Sequence, residues 1–159
     1  MSPERAVQQV LAKYVRAADR LDAVAICNLF VAGGKVEVSY ANDGKQELIF
    51  VLTGHAEISH GISDIMRPHP PGGWSQHTTF DPIIEVSGEY ATCDVQFIRF
   101  DTLGNDQATA GWPGVTKGVA EAILPTESGY YQSILQKKAD DWKIANLKIF
   151  HELPFAINL

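Results

Sequence analysis

The sequence predicts an α+β fold, and three observations carry that prediction. Helical spacing of apolar residues is confined to segments within the first 66 residues, and alternating segments dominate the remainder. Two junctions between alternating segments have hairpin length. Helices first and antiparallel strands afterwards place three N-terminal-half helices on one face of a curved, mostly antiparallel sheet. Such a sheet wraps a concave, largely apolar pocket, the usual place for a small ligand.

The first helix spans 3–20. Val7, Val10, Leu11, Tyr14, Ala18 and Leu21 recur at helical spacing, and Pro3 suits its opening turn. Asp22 has the side chain and position of an N-cap for a second, shorter helix running to about Phe30 and closed by Gly33 and Gly34. A third helix follows Thr53 and Gly54 and ends before Pro68, with Ile58, Ile62, Ile65 and Met66 on its apolar side. Val36, Val38 and Tyr40 alternate with polar residues as a first strand, and QELIFVLT reads as a second. HTTFDPIIEV and EYATCDVQFIRFDT are joined by Ser87-Gly88, and GYYQSILQKK and WKIANLKIFHE by Ala139-Asp140-Asp141. The stretch 102–128, rich in Gly, Pro, Ala and Thr, has no clear period and fits a strand, a loop or a lid.

A chain of 159 residues with 45% hydrophobic content and a net charge of −6 is the size of one domain, 1–159. No run of eighteen apolar residues is present, and MSPERAVQQV carries charges where a signal peptide needs an apolar core, so a cytoplasmic protein with no membrane partner is expected. Acidic balance argues against a nucleic-acid partner, which requires clustered Lys and Arg. Cys27 and Cys93 lack CxxC spacing and read as buried thiols. His55 and His60, five apart on the third helix, lie about 140° apart around it and cannot chelate as an i, i+4 pair would. His-Ala-Glu at 55–57 is the first half of a zinc deaminase signature, but P-C-x-x-C is absent. There is no G-x-S-x-G, Walker A or Rossmann glycine pattern either. Neither a metal nor a cofactor is expected.

Five segments in order carry a resemblance: YVRAADRLDAVAICNLF, GGKVEVSY, the Thr-Gly-initiated helix, GGWSQHTTFDPIIEV and DDWKIANLKI. Together the chain resembles the SnoaL-like branch of the nuclear-transport-factor-2-like superfamily, which implies a cone-shaped α+β fold around a pocket. Lyases of that branch, such as scytalone dehydratase, hexachlorocyclohexane dehydrochlorinase and bile-acid 7α-dehydratase, use an Asp in a D-x-x-D position and a His opening the strand after the third helix. The matching positions here are Asp19 and His77. Tyr14 matches a pocket-facing tyrosine of the bile-acid enzyme. Departures from two relatives bear on substrate. Ala18, Val38 and Phe100 stand near the positions where scytalone dehydratase has tyrosine, tyrosine and a second histidine, which argues against scytalone; Val38 also replaces the acid expected of a ketosteroid isomerase.

A physical argument for the pair stands beside the resemblance. A carboxylate in the last turn of the first helix is disfavoured by the helix dipole by roughly 0.3–1 kcal/mol, and a histidine alongside would offset that. The carboxylate would fix the ring's tautomer and stabilise the imidazolium formed when the ring accepts a proton. On spacing alone, a solvated helix-end acid and a strand histidine satisfied by backbone are the commoner readings; the resemblance favours the dyad. Asp22 is left as a cap. Tyr14 is a candidate hydrogen-bond donor to a substrate carbonyl or leaving hydroxyl, an ordinary core tyrosine being equally consistent. Tyr40, Trp74, Phe97 and Tyr131 are candidate walls of a substrate site. Asn146, with Lys148 on the same face, occupies the last strand where some relatives place an arginine.

Two function classes follow. The first is a cofactor-independent lyase acting on a hydrophobic cyclic or aromatic small molecule, with His77 as base, Asp19 as its partner and Tyr14 as donor. The second is a non-catalytic binding or oligomerisation module, or an isomerase or cyclase on the same fold. An open sheet edge or apolar outer face favours a homodimer or homotrimer.

Overall fold

The computed structural model describes residues 1–42, 45–66, 69, 74–103 and 122–152. Three helices and a six-stranded mixed sheet follow one another as α1 (Pro3–Asp19), α2 (Ala23–Cys27), β1 (Phe30–Asn42), β2 (Lys45–Thr53), α3 (Gly54–His60), β3 (Ser75–Ser87), β4 (Tyr90–Leu103), β5 (Ala122–Lys138) and β6 (Asp141–His151). The strand order is β2-β1-β6-β5-β4-β3. All pairs are antiparallel except β1 with β6, which closes the chain's first strand onto its last.

Helix α1 is capped by Ser2, whose hydroxyl accepts from Arg5 N–H at 3.3 Å. It buries Val7, Val10, Leu11, Tyr14, Val15, Ala17 and Ala18, mainly against β3. Burial of each large aliphatic side chain on this face contributes roughly 1.5–3 kcal/mol. Its end is set by two backbone bonds, Leu21 N–H to Ala18 O at 3.0 Å and Asp22 N–H to Ala17 O at 2.9 Å. Leu21 takes the left-handed conformation (φ 54°) that such a cap requires. Asp22 then caps α2, accepting from Ala25 N–H at 2.9 Å.

Helix α2 stops at Cys27, short of the expected Phe30. The start of β6 captures the chain there: Ile144 N–H donates to Leu29 O at 2.8 Å and Lys143 Nζ to Asn28 O at 2.7 Å. Gly33 and Gly34 consequently lie within β1 rather than closing a helix, where the β1–β6 register shifts between Phe30 and Lys35. The third helical segment changes pitch. After α3, Gly61–Ile65 forms one π-turn ending with Met66 N–H on Gly61 O at 3.0 Å.

Both hairpins form where the sequence places them, with Gly88 (φ 58°) and Ala139 (φ 53°) in the left-handed region. Within β3, Asp81 (φ 44°) and Pro82 interrupt pairing with β4 as a bulge between Phe80 and Ile83. The segment 102–128 contributes strand at both ends; 104–121 lies outside the described residues. Gly129 sits opposite His151, and a Cβ there would lie 1.8 Å from Phe150 O, so only glycine permits this approach of β5 to β6. No helix among the described residues is long and apolar enough to cross a membrane.

Candidate active site

A cavity of about 490 Å³ opens between the sheet and the helices. One part of its wall is apolar: Ile26 from α2, Val36 and Val38 from β1, Phe50 and Leu52 from β2, and Ile58, Ile62, Ile65 and Met66 from α3 and its π-turn. The other part is polar, and it contains His77, Arg99, Asp101, Thr126, Glu127, His151 and the two tyrosines Tyr14 and Tyr131.

The last turn of α1 brings Asp19 onto the first residues of β3. Asp19 Oδ1 lies 2.6 Å from His77 Nδ1, and the same carboxylate accepts the His77 backbone N–H at 3.0 and 3.2 Å. Helix and strand are thereby locked together at the site. A carboxylate only accepts, so the ring proton belongs on Nδ1 and Nε2 is the nitrogen left for a ligand. The backbone carbonyl of Asp19, one of the orphan acceptors at the helix end, takes His69 Nε2 at 2.9 Å.

Tyr14 and Tyr131 meet edge to face with ring centroids 5.8 Å apart, both buried. Neither hydroxyl has a hydrogen-bond partner among the described residues. Burial pushes both phenols above their ordinary range, with the negative neighbours of Tyr131 adding to the effect, so both remain donors. Phe97 stacks on Tyr131 at 4.3 Å and meets His151 edge-on at 5.7 Å. It is fully buried and backs the wall from behind, a correction to its expected place on the substrate surface.

Three other expected wall residues lie elsewhere. Tyr40 stands past the cavity on β1, its hydroxyl donating to Glu47 Oε2 of its cross-strand partner at 2.8 Å. Trp74 precedes β3, is 39% exposed, and is tied down through its backbone N–H to Thr102 Oγ1 at 2.8 Å. Asn146 faces the opposite side of the sheet, where its Nδ2 donates to Glu37 Oε1 at 3.1 Å. Of the histidines on α3, His55 Nε2 contacts Phe30 O at 3.3 Å and His60 pairs with Asp64 at 2.7 Å. Cys93 is buried, its thiol pushed up to about 11 chiefly by burial, whereas Cys27 is only half-buried; neither forms a disulfide.

Sequence reading missed a polar floor. Arg99 Nε donates to Asp101 Oδ1 at 2.9 Å and Nη1 to Glu127 Oε1 at 2.7 Å, while Thr126 Oγ1 donates to Asp101 Oδ2 at 2.9 Å. His151 Nδ1 approaches Glu127 Oε2 at 3.8 Å. Burial pushes the Glu127 carboxyl up, opposed chiefly by Arg99, with Asp101 acting in the same direction as burial. Burial, then the nearby His77 and Arg99, bring His151 down to about 4, so it is neutral at neutral pH. Part of this floor was readable: Cys93, Val95 and Phe97 share one face of β4 by strict alternation, and Arg99 and Asp101 continue it.

The fold is α+β, of the cystatin-like, NTF2-like type. An NTF2-like protein with a cystatin-like fold from Novosphingobium aromaticivorans superposes with a TM-score of 0.63 at 16% identity, over 97% of this chain and 83% of the other. A provisionally named scytalone dehydratase from the same organism gives 0.59 at 17% identity, over 92% and 82%. The beta subunit of a provisionally named aromatic-ring-hydroxylating dioxygenase, also from that organism, gives 0.72 at 11% identity, over 98% and 93%. At these identities the likeness is one of fold. No curated protein matches the chain. Residues 1–148 match the SnoaL-like domain model, and the chain belongs to that family.

Proposed function

We propose that this protein is a cofactor-independent lyase of the dehydratase or elimination type, acting on a hydrophobic cyclic or aromatic small molecule. One observation carries the reading: His77 lines an apolar-walled cavity with Nδ1 held by Asp19 at 2.6 Å, which leaves Nε2 as the base. Asp19 orients the ring and stabilises the imidazolium formed on proton abstraction. The Tyr14 hydroxyl, joined by that of Tyr131, donates to a substrate carbonyl, where negative charge develops as the neighbouring C–H bond breaks. The aliphatic wall from α2, β1, β2 and α3 holds the ring system.

The test is His77→Ala on a confirmed substrate. Loss of most of kcat with fold and ligand affinity retained is expected, because a general base acts in the transition state, with a contribution on the order of 10²–10⁴-fold. Asp19→Asn is expected to retain the geometry and lose much of the rate, since an amide stabilises an imidazolium poorly. Full activity in His77→Ala means that the base is another group. A binding module would instead lose affinity with each change and never turn over.

A further inference from the structure

We propose that Glu127 is the acid partner of His77: it protonates the hydroxyl that leaves while His77 removes the proton from the neighbouring carbon. This rests on the lyase reading above and narrows its substrate to a β-hydroxy carbonyl compound with an apolar body.

Placement comes first. Between Arg99 and Phe100 of β4, the facing residues of β5 are Glu127 and Pro125, so Thr126 is an extra residue in the ladder. The bulge turns both Thr126 and Glu127 to the cavity that His77 lines. Charge comes second. A single guanidinium, that of Arg99, bonds two carboxylates in a mostly buried setting, Asp101 and Glu127. One cation balances one carboxylate, so the other is the favoured proton carrier. Asp101 has its second oxygen satisfied by the Thr126 hydroxyl at 2.9 Å, whereas Glu127 Oε2 has no closer partner among the described residues than His151 Nδ1, at 3.8 Å. The less supported carboxylate is Glu127. Burial moves it in the same direction, and His151, being neutral, supplies no charge to hold it ionised.

The step balances. The substrate carbonyl accepts from Tyr14 and Tyr131, and His77 Nε2 takes the proton from the adjacent carbon. That C–H electron pair becomes the new C=C bond, and the C–O bond breaks with its pair on the departing oxygen. The Glu127 proton moves to that oxygen and water leaves. His77 is then an imidazolium and Glu127 a carboxylate; transfer of one proton from the first to the second, through the released water, restores both.

Two probes separate acid from base. In 5-nitrobenzisoxazole the base removes a carbon-bound proton and the N–O bond opens to a stable phenoxide, which needs no acid. In 4-hydroxy-4-phenylbutan-2-one the leaving hydroxyl needs a proton. Glu127→Gln is expected to slow the hydroxy ketone by about 10²-fold or more and the benzisoxazole by no more than about threefold, whereas His77→Ala slows both. Equal losses on the two probes in Glu127→Gln, or no loss on the hydroxy ketone, overturn the assignment. If His77→Ala retains both activities while Glu127→Gln still discriminates, the base is misassigned and the acid stands. If the wild type accelerates neither probe, both the lyase reading and this one fail. Infrared difference spectroscopy of wild type against Glu127→Gln at about pH 6 reads the group without turnover. A protonated carboxyl band present only in the wild type is expected, and its absence overturns the proposal.

Discussion

His151 makes folding stability fall in acid, and the size of the effect follows from where the ring lies. The ring is 5% exposed, against Phe97 and near Arg99 and His77, and burial is the main reason its pKa drops from the ordinary 6.5 to about 4. In the unfolded chain the ring charges as pH falls below its ordinary value; in the folded chain it resists until about 4. The depressed pKa therefore contributes stability that is full above the unfolded value and is lost as pH falls through the folded one. At about 1.4 kcal/mol per pH unit, the interval from 6.5 to about 4 amounts to roughly 3 kcal/mol, a large fraction of a typical 5–15 kcal/mol. Glu127 works in the opposite sense: its raised pKa favours the folded state below the unfolded value and disfavours it as pH rises through the folded one. Urea unfolding of wild type and His151→Gln at several pH values between 7 and 4 isolates the histidine. The free-energy gap between the two is expected to change by roughly 3 kcal/mol across that range, with the wild type falling more steeply. Parallel curves, or an NMR titration of the His151 ring near pH 6.5, would refute the reasoning.

Gly129→Ala is expected to cost roughly 3 kcal/mol or more in urea unfolding, because the new Cβ meets the Phe150 carbonyl rather than a movable side chain; a cost under about 1 kcal/mol would show that β5 and β6 separate easily. Ala139→Gly relieves a left-handed residue in the β5–β6 turn and is expected to gain about 0.5–1 kcal/mol, with unchanged or lower stability as the contrary result. Ile83, Tyr90 and Ile134 stand exposed on neighbouring strands, which supports the proposal of a homodimer or homotrimer. Light scattering at micromolar concentration is expected to report that assembly, and a monomer contradicts it.

The elements whose periodicity is local were legible. Val7, Val10, Leu11 and Tyr14 define the buried face of α1 without reference to anything distant, and Asp22 defines where α2 begins. Where α2 ends was not legible, because the determinant is Ile144 and Lys143, more than a hundred residues away in sequence. Gly33 and Gly34 suggested a helix terminus, and tertiary pairing used them in a strand irregularity. The π-turn after α3 was equally hidden: Ile58, Ile62, Ile65 and Met66 fit one continuous helix, and only the bond from Met66 to Gly61 shows that the pitch widens.

The direction in which a side chain points was legible where it depends on one element and hidden where it depends on a bulge. In β6, strict alternation from Trp142 and Ile144 would carry Asn146 and Lys148 to the inner face, in keeping with the resemblance, in which some relatives place an arginine on this strand. Pairing with β5 matches Ile144 with Leu135 and Asn146 with Ile134, so Ala145 is an extra residue. One extra residue exchanges the faces of everything beyond it. Asn146 turns out to Glu37, while Leu147, Ile149 and His151 turn in. The loss of the expected asparagine and the gain of an unexpected histidine are therefore one event. Thr126 does the same in β5, where it lets two consecutive residues face the cavity and sets a hydroxyl and a carboxyl beside Arg99. A strand with perfect alternation would offer a polar group there at every second position only. Arg99 and Asp101 reach the cavity by the alternation of β4, whereas Thr126, Glu127 and His151 join them there through two ladder irregularities.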